Sequence, residues 1–282
     1  MQVRCWGSRG NIPASGADKN FYGGATACLE VRTSDHSVII LDAGSGIRKL
    51  GQALLNDDER SYALLVSHGH DDHLIGLPFF EPLYDEKTNL LVFEHEELRN
   101  KLEGMCFQEE ARLFSPMCAR PVTASISWQP ALQHGHVTQI GSAFVTAVPA
   151  SHPGSCSGFK ITDRGKSIVY LPDNELDFDH GAGMDFDTYV NCCRGVELLV
   201  HDAQFTSEEY DGCKGWGHST WRRALDLAVA ANVQQLGLFH HDVERTDEQL
   251  DAIVKECRRE AATRSPRLLC FAMREGMELV LR

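Results

Sequence analysis

A single mixed α/β domain is the fold class this sequence predicts, and three observations predict it. Short apolar, β-branched runs recur along the 282 residues with turn residues between them. Amphipathic stretches with helical spacing lie among those runs. Several of the runs end on His or Asp, at the strand ends and following loops where sheet-based folds commonly build sites.

In chain order the expected strands are "SVIILDAGSG" (37–46), "YALLVSHGH" (62–70), "SAFVTAVPASH" (142–152), "KSIVYLPDNE" (166–175), "VELLVHDAQF" (196–205) and "VQQLGLFHHD" (233–242). Each is an apolar run bounded by turn formers, as a buried or half-buried strand requires. Helices are expected over "GIRKLGQALLNDD" (46–58), "EHEELRNKLEGMCFQEE" (94–110) and "STWRRALDLAVAAN" (219–232), the last opening on a Ser or Thr cap directly after His218. Residues 80–125 are less regular, and read as an insertion or lid on a domain spanning 1–282.

Composition narrows the function classes. A formal charge of −13 disfavours an extended nucleic-acid partner, because a polyanion is repelled unless cations cluster or metals reverse the sign locally. No apolar run approaches the roughly 18 residues of a membrane span, so no membrane partner is expected. The opening "MQVRCWGSRGNIP" turns to glycine and proline before an apolar signal core forms. Ten cysteines at irregular positions suit reduced thiols rather than a disulfide framework. A cytoplasmic enzyme is the expectation, with a homodimer as the commonest assembly.

The stretch "SHGHDDH" (67–73) concentrates the chemistry. Alternation beyond a strand end turns His68 and His70 to one side, and the tightening chain presents Asp72 and His73 from a neighbouring direction. Imidazole and carboxylate suit zinc, manganese or iron. One loop cannot complete two metal shells, so distant strand ends must contribute; His152, Asp173 and His240 stand at such ends.

"SHGHDDH" resembles the HxHxDH motif of the metallo-β-lactamase superfamily, and the later His, Asp and His follow in the expected order. The resemblance spans nearly the whole chain. It implies an αββα sandwich of two mixed sheets flanked by helices, with a dinuclear site at one edge. It further implies one metal on His68, His70 and His152, a second on Asp72, His73 and His240, and Asp173 between them. "LLVHDAQF", "GHST" and "LFHHD" look like the tRNase Z and cyclic-nucleotide phosphodiesterase branch, as do "CWGSRGNIP…YGGATAC" and "DAGSG". Ala25 stands where that branch has an Asn, and His241 beside His240 leaves the last ligand open between the two.

Two divalent ions, zinc first and manganese or iron as alternatives, would generate hydroxide at neutral pH and neutralise phosphoryl charge, with Asp72 adding negative charge. His218, if paired with Asp202, could stabilise the transition state or protonate a leaving oxygen; its bland alternative is a helix cap. The expected activity is hydrolysis of a small anionic phosphodiester such as a cyclic nucleotide. The alternatives are a tRNA 3′-processing endonuclease, and a carboxyl-ester or lactone hydrolase that would not need His218. A non-enzymatic binder that keeps the site is a further alternative.

Overall fold

Strand runs without polar alternation need cover on both faces, and the two sheets of this protein supply it. The computed structural model describes residues 1–57, 60–94, 99–100, 103–104 and 120–281. Strands β1 (Gln2–Gly7), β2 (Cys28–Arg32), β3 (Val38–Leu41), β4 (Ser61–Leu65), β5 (Asn89–Glu94) and β6 (Ser125–Pro130) form the first sheet. Strands β7 (Thr138–Ile140), β8 (Ala143–Pro149), β9 (Ser157–Asp163), β10 (Lys166–Leu171), β11 (Leu198–Asp202), β12 (Gln235–Phe239) and β13 (Leu269–Ala272) form the second. The last strand, β14 (Glu278–Val280), returns to the first sheet beside β1.

Both sheets are mixed. In the first, β3, β4, β5 and β6 run parallel while β14, β1, β2 and β3 pair antiparallel. The second mirrors this: β10 to β13 are parallel and β7 to β10 antiparallel.

The period of two along each strand allots side chains to layers. On β3, Ile39 and Leu41 enter the core between the sheets while Val38 and Ile40 face outward. On β10, Ile168 and Tyr170 meet them from the other sheet, and Val169 and Leu171 face the helices. Each buried Leu or Ile contributes about 1.5–3 kcal/mol.

Helices cover the outer faces. Helix α1 (Ile47–Leu54) lays Ile47, Leu50, Gly51 and Leu54 on the first sheet at helical spacing. The second sheet carries α2 (Phe186–Cys193), then after the short α3 (Ser207–Tyr210) it carries α4 (Trp221–Ala230) and α5 (Asp247–Arg264). Sequence reading did not single out α5, whose charged surface dilutes its apolar stripe. That stripe is Leu250, Ile253, Val254, Cys257 and Ala261, and the helix opens on a Thr246–Gln249 capping box. The architecture is the expected αββα sandwich.

The six expected strands form as read, with ends shifted by a few residues. Within 80–125, Asn89–Glu94 is a strand of the first sheet, and much of the remainder, including most of the helix expected over 94–110, lies outside the described residues. Among the described residues no helix is long and apolar enough to cross a membrane.

Topology fixes where the site forms. Strands β3 and β4 run parallel, as do β10, β11 and β12, and β8 shares the direction of β10 because each is antiparallel to β9. The residues that follow these strands therefore gather at one edge of the sandwich: Asp42, His68 to His73, His152, Asp173, Asp202 at the end of β11, and His240.

Candidate metal centre

The carboxylate of Asp173 sits between two sets of imidazoles. Its Oδ2 lies 3.6 Å from Nε2 of both His68 and His152. Its Oδ1 lies 3.0 Å from Nε2 of His73 and 3.4 Å from Nε2 of His240. On that second side Asp72 Oδ2 is 3.0 Å from His240 Nε2 and 3.5 Å from His73 Nε2. His70 stands at the exposed mouth, its ring 4.8 Å from that of His152. One donor atom from each of His68, His70, His152 and Asp173 lies within 4.8 Å of the others, and the same holds for Asp72, His73 and His240. All seven expected ligands are thus brought together.

The ring nitrogens facing away from the centre are held from outside. His68 Nδ1 meets Ser67 Oγ at 3.0 Å, His73 Nδ1 meets Asp42 Oδ2 at 2.8 Å, His152 Nδ1 meets the Pro153 carbonyl at 2.9 Å and His240 Nδ1 meets Gln204 Oε1 at 2.9 Å. Such partners fix the tautomer and direct the opposite nitrogen inward. Asp42 does more: it also accepts from Ser67 N–H at 2.7 Å and from Tyr170 O–H at 2.8 Å, joining both sheets beneath the site.

Four of the inward atoms are left without hydrogen-bond partners. Nε2 of His68, His73 and His152 and Oδ1 of Asp173 are buried and make no hydrogen bond among the described residues. An unsatisfied buried polar atom costs about 1–3 kcal/mol, and four converging on one space form a donor set that a cation would satisfy. Imidazole and carboxylate donors in this arrangement fit divalent metal ions.

Electrostatics divides the donors. Burial pushes His68 well below its ordinary pKa and His152 down to about 4, leaving neutral rings with a lone pair to give. Burial opposes ionisation of Asp72 and Asp173 too, yet His73 and His240 outweigh it and hold both carboxyls well below the carboxylate range. His73, buried against Asp173, Asp72 and Asp42, is raised despite its desolvation.

His218 belongs to a separate arrangement. Its Nδ1 is 2.6 Å from Asp202 Oδ2, and its ring stacks on that of His240 at 4.8 Å and 16°. Its Nδ1, engaged by Asp202, also lies 3.9 Å from Asp173, and His218 forms a further group of close donor atoms with Asp173 and His240. Burial disfavours the imidazolium, but Asp202 outweighs it and lifts the pKa to about 9. The cap of α4 is Thr220, whose side chain accepts from Arg223 N–H at 3.2 Å, so His218 is not a capping residue.

Geometry also places the neighbouring polar residues. His241 turns away and places Nε2 2.8 Å from the Met273 carbonyl, while His240 faces the centre. His201 is tied to the Asp202 carbonyl and to Asn174, not to His218. Arg9 of "GSRG" is fully buried and grips the carbonyls of Gly23, Asp242 and Arg245. Asn11, just beyond, donates its backbone N–H to Asp72 Oδ2 at 2.8 Å.

Sequence reading passed over Gln204, Asn174 and Glu175. The last two stand directly behind Asp173 in "PDNE", and a run of polar residues between buried strands was the signal. Asn174 Oδ1 accepts from Ser151 N–H and from Tyr189 O–H, each at 2.8 Å, so it braces the loop that carries His152.

Residues 38–241 match the model of the β-lactamase superfamily domain. The probable metallo-hydrolase YhfI of Bacillus subtilis strain 168 is 22% identical over 258 residues, covering 85% of this chain and 86% of that protein. Its crystal structure is similar at a TM-score of 0.71 and 18% identity, over 99% of this chain and 98% of that one. Ribonuclease Z of Sulfolobus acidocaldarius is 23% identical over 247 residues, 72% of this chain and 77% of that protein. A diphosphatase of the PhnP family shares the fold at a TM-score of 0.69 and 15% identity, over 100% of this chain and 98% of that one. With most of its length matched by the family model, the chain belongs to the β-lactamase superfamily, in the metal-dependent hydrolase branch represented by these relatives.

Proposed function

We propose that the protein hydrolyses a small phosphodiester at a dinuclear centre. His68, His70 and His152 would hold one divalent cation, Asp72, His73 and His240 the other, and Asp173 would serve both through its two oxygens. Zinc suits this donor set, with manganese and iron as alternatives. When bound, such a pair supplies a water-derived nucleophile at neutral pH and offsets charge on the attacked phosphoryl group.

The observation that carries the reading is the His218–Asp202 pair, 2.6 Å apart and stacked against His240. Asp202 orients the ring and stabilises its protonated form. Nε2 is then the atom that delivers a proton to the departing ester oxygen. Hydrolysis of a lactam or lactone at this fold's edge does not call for a second imidazole held in that way. The ribonuclease and diphosphatase names among the relatives support phosphate-ester chemistry.

The test is hydrolysis of bis(p-nitrophenyl) phosphate by protein loaded separately with zinc and with manganese, beside an aryl ester and a lactone. Chelator-sensitive diester cleavage that falls about 100-fold in His218→Ala supports the proposal. Ester or lactone turnover with no diester cleavage refutes it. A second reading, tRNA 3′-end cleavage, is favoured by the ribonuclease Z relatives; the net charge of −13 argues against it. Release of a 3′ trailer from a precursor tRNA would decide for it.

A further inference from the structure

Glu175 lies two residues beyond Asp173, is 1% exposed, and belongs neither to the donor set nor to the His218 pair. Each of its carboxylate oxygens meets two donors. Oε1 accepts from Tyr210 O–H at 2.6 Å and from Gly215 N–H at 2.7 Å. Oε2 accepts from Gly217 N–H at 2.7 Å and from His180 Nε2 at 2.8 Å. One buried side chain thus clamps residues 210–217, the stretch that ends directly before His218.

The far side of His218 is held by the chain neighbours of the same glutamate. Ser219 Oγ donates to the Asn174 carbonyl at 2.6 Å and accepts from Leu176 N–H at 3.0 Å. Both residues that flank His218 are therefore tied to residues 174–176, which follow Asp173 directly. The approach to His218 has no stiffness of its own: Gly215 and Gly217 have φ of +87° and +96°, a backbone that residues with a Cβ rarely adopt. Space also demands glycine at 217, where a Cβ would lie 2.3 Å from Cδ2 of His152. Two glycines with that freedom keep one conformation only when their amides are bound, and Glu175 binds both.

We infer that Glu175 is a positioning residue for His218: it fixes the backbone from which the imidazole reaches the departing ester oxygen, while Asp202 orients the ring itself. The inference rests on the phosphodiester reading of the centre and on the role that reading gives His218. A carboxylate is required here, and an isosteric amide does not replace it. Whichever way a Gln side chain is turned, its NH2 group faces one of the two glycine N–H groups, donor against donor. Tyr210 can rotate its hydroxyl to accept and His180 can change tautomer, but a backbone N–H can do neither. One glycine amide therefore loses its acceptor in Glu175→Gln. A displacement of about 1 Å in a reacting group costs on the order of 100-fold in rate.

Measuring kcat and KM of the metal-loaded protein on a series of methyl aryl phosphodiesters with progressively less acidic leaving phenols tests this. A proton donor helps most where the departing oxygen is most basic. Glu175→Gln should lower kcat about 10-fold when p-nitrophenol departs and about 100-fold when phenol departs, with KM and metal content unchanged. Tyr210→Phe removes a single bond to the same carboxylate and no charge. It should steepen the dependence on the leaving phenol to a smaller degree, and it carries the test if Glu175→Gln does not fold. Combining Glu175→Gln with His218→Ala should be no slower than His218→Ala alone, because both remove one proton transfer, whereas a residue that only supports the fold would add its own loss. A loss uniform across the phenols, no steepening in either variant, an additive loss in the double variant, or loss of bound metal from Glu175→Gln would overturn the positioning role and leave the diester reading standing. No cleavage of any diester by the wild type would overturn both.

Discussion

Asp202 divides its two oxygens between a ring and a backbone: Oδ2 meets His218 Nδ1 at 2.6 Å, while Oδ1 accepts the N–H groups of Gln204 at 3.0 Å and Ser219 at 3.2 Å. Gln204 in turn meets His240 Nδ1. The carboxylate therefore orients the His218 imidazole and braces the neighbour of a candidate ligand.

Asp202→Asn should lower kcat for diester cleavage by about 10- to 100-fold, since the amide holds the ring without stabilising its cationic form. Metal content by mass spectrometry of the native protein should not change. A full complement of turnover in this variant would remove His218 from proton transfer.

Asp42 touches His73 and Ser67 on one side and Tyr170 on the other, at a φ of +62°. Asn tolerates that backbone better than most residues, so Asp42→Asn changes the charge and acceptor pattern with little backbone strain. It should weaken metal affinity by about 10- to 100-fold, as loss of an outer partner of a ligating imidazole does. Competition against a chromophoric chelator measures this directly.

Metal removal should lower thermal stability as well as abolish turnover. The centre draws on both sheets, and its unpaired nitrogens are satisfied only by a ligand. At a free metal concentration 100-fold above Kd, binding at one site adds about 2.7 kcal/mol, or roughly 4–5 °C in Tm for a chain of this size. Equal melting of the chelated and loaded protein would place the metals elsewhere.

One acid-sensitive contact lies outside the centre. Arg245 donates to both oxygens of Glu209, at 2.8 and 2.7 Å, and holds its carboxyl down to about 2 from an ordinary 4.5 despite partial burial. Between those values the unfolded chain binds the extra proton, so stability rises with pH. The contribution is complete above about 4.5 and is lost as pH falls towards 2. Glu209→Gln should flatten that part of a Tm-against-pH curve; an unchanged acid slope would show that the pair contributes nothing, as exposure can dictate for surface ions.

The strands and the inward-facing donors were legible because each obeys a local rule. An apolar run ends, and a His or Asp follows within a few positions; His68, His152, Asp173 and His240 all read that way. Their outer partners obey no local rule. Gln204 meets a ring thirty-six positions away in the chain, so only the packed sheets reveal it. Glu175 was hidden for the same reason, since its partners lie on a loop some forty residues downstream. Choosing between His240 and His241 required the turn after β12, where His240 takes a φ of +55° and the two rings separate.

The donor set also implies an order of events during synthesis. His68, His70, His152 and Asp173 emerge from the ribosome well before His240, which follows the third parallel strand of the second sheet. A nascent chain can offer an early half-site, but the complete pair of positions exists only after β12 has docked. Filling of both proposed positions would therefore wait on the docking of β12, the strand that delivers His240.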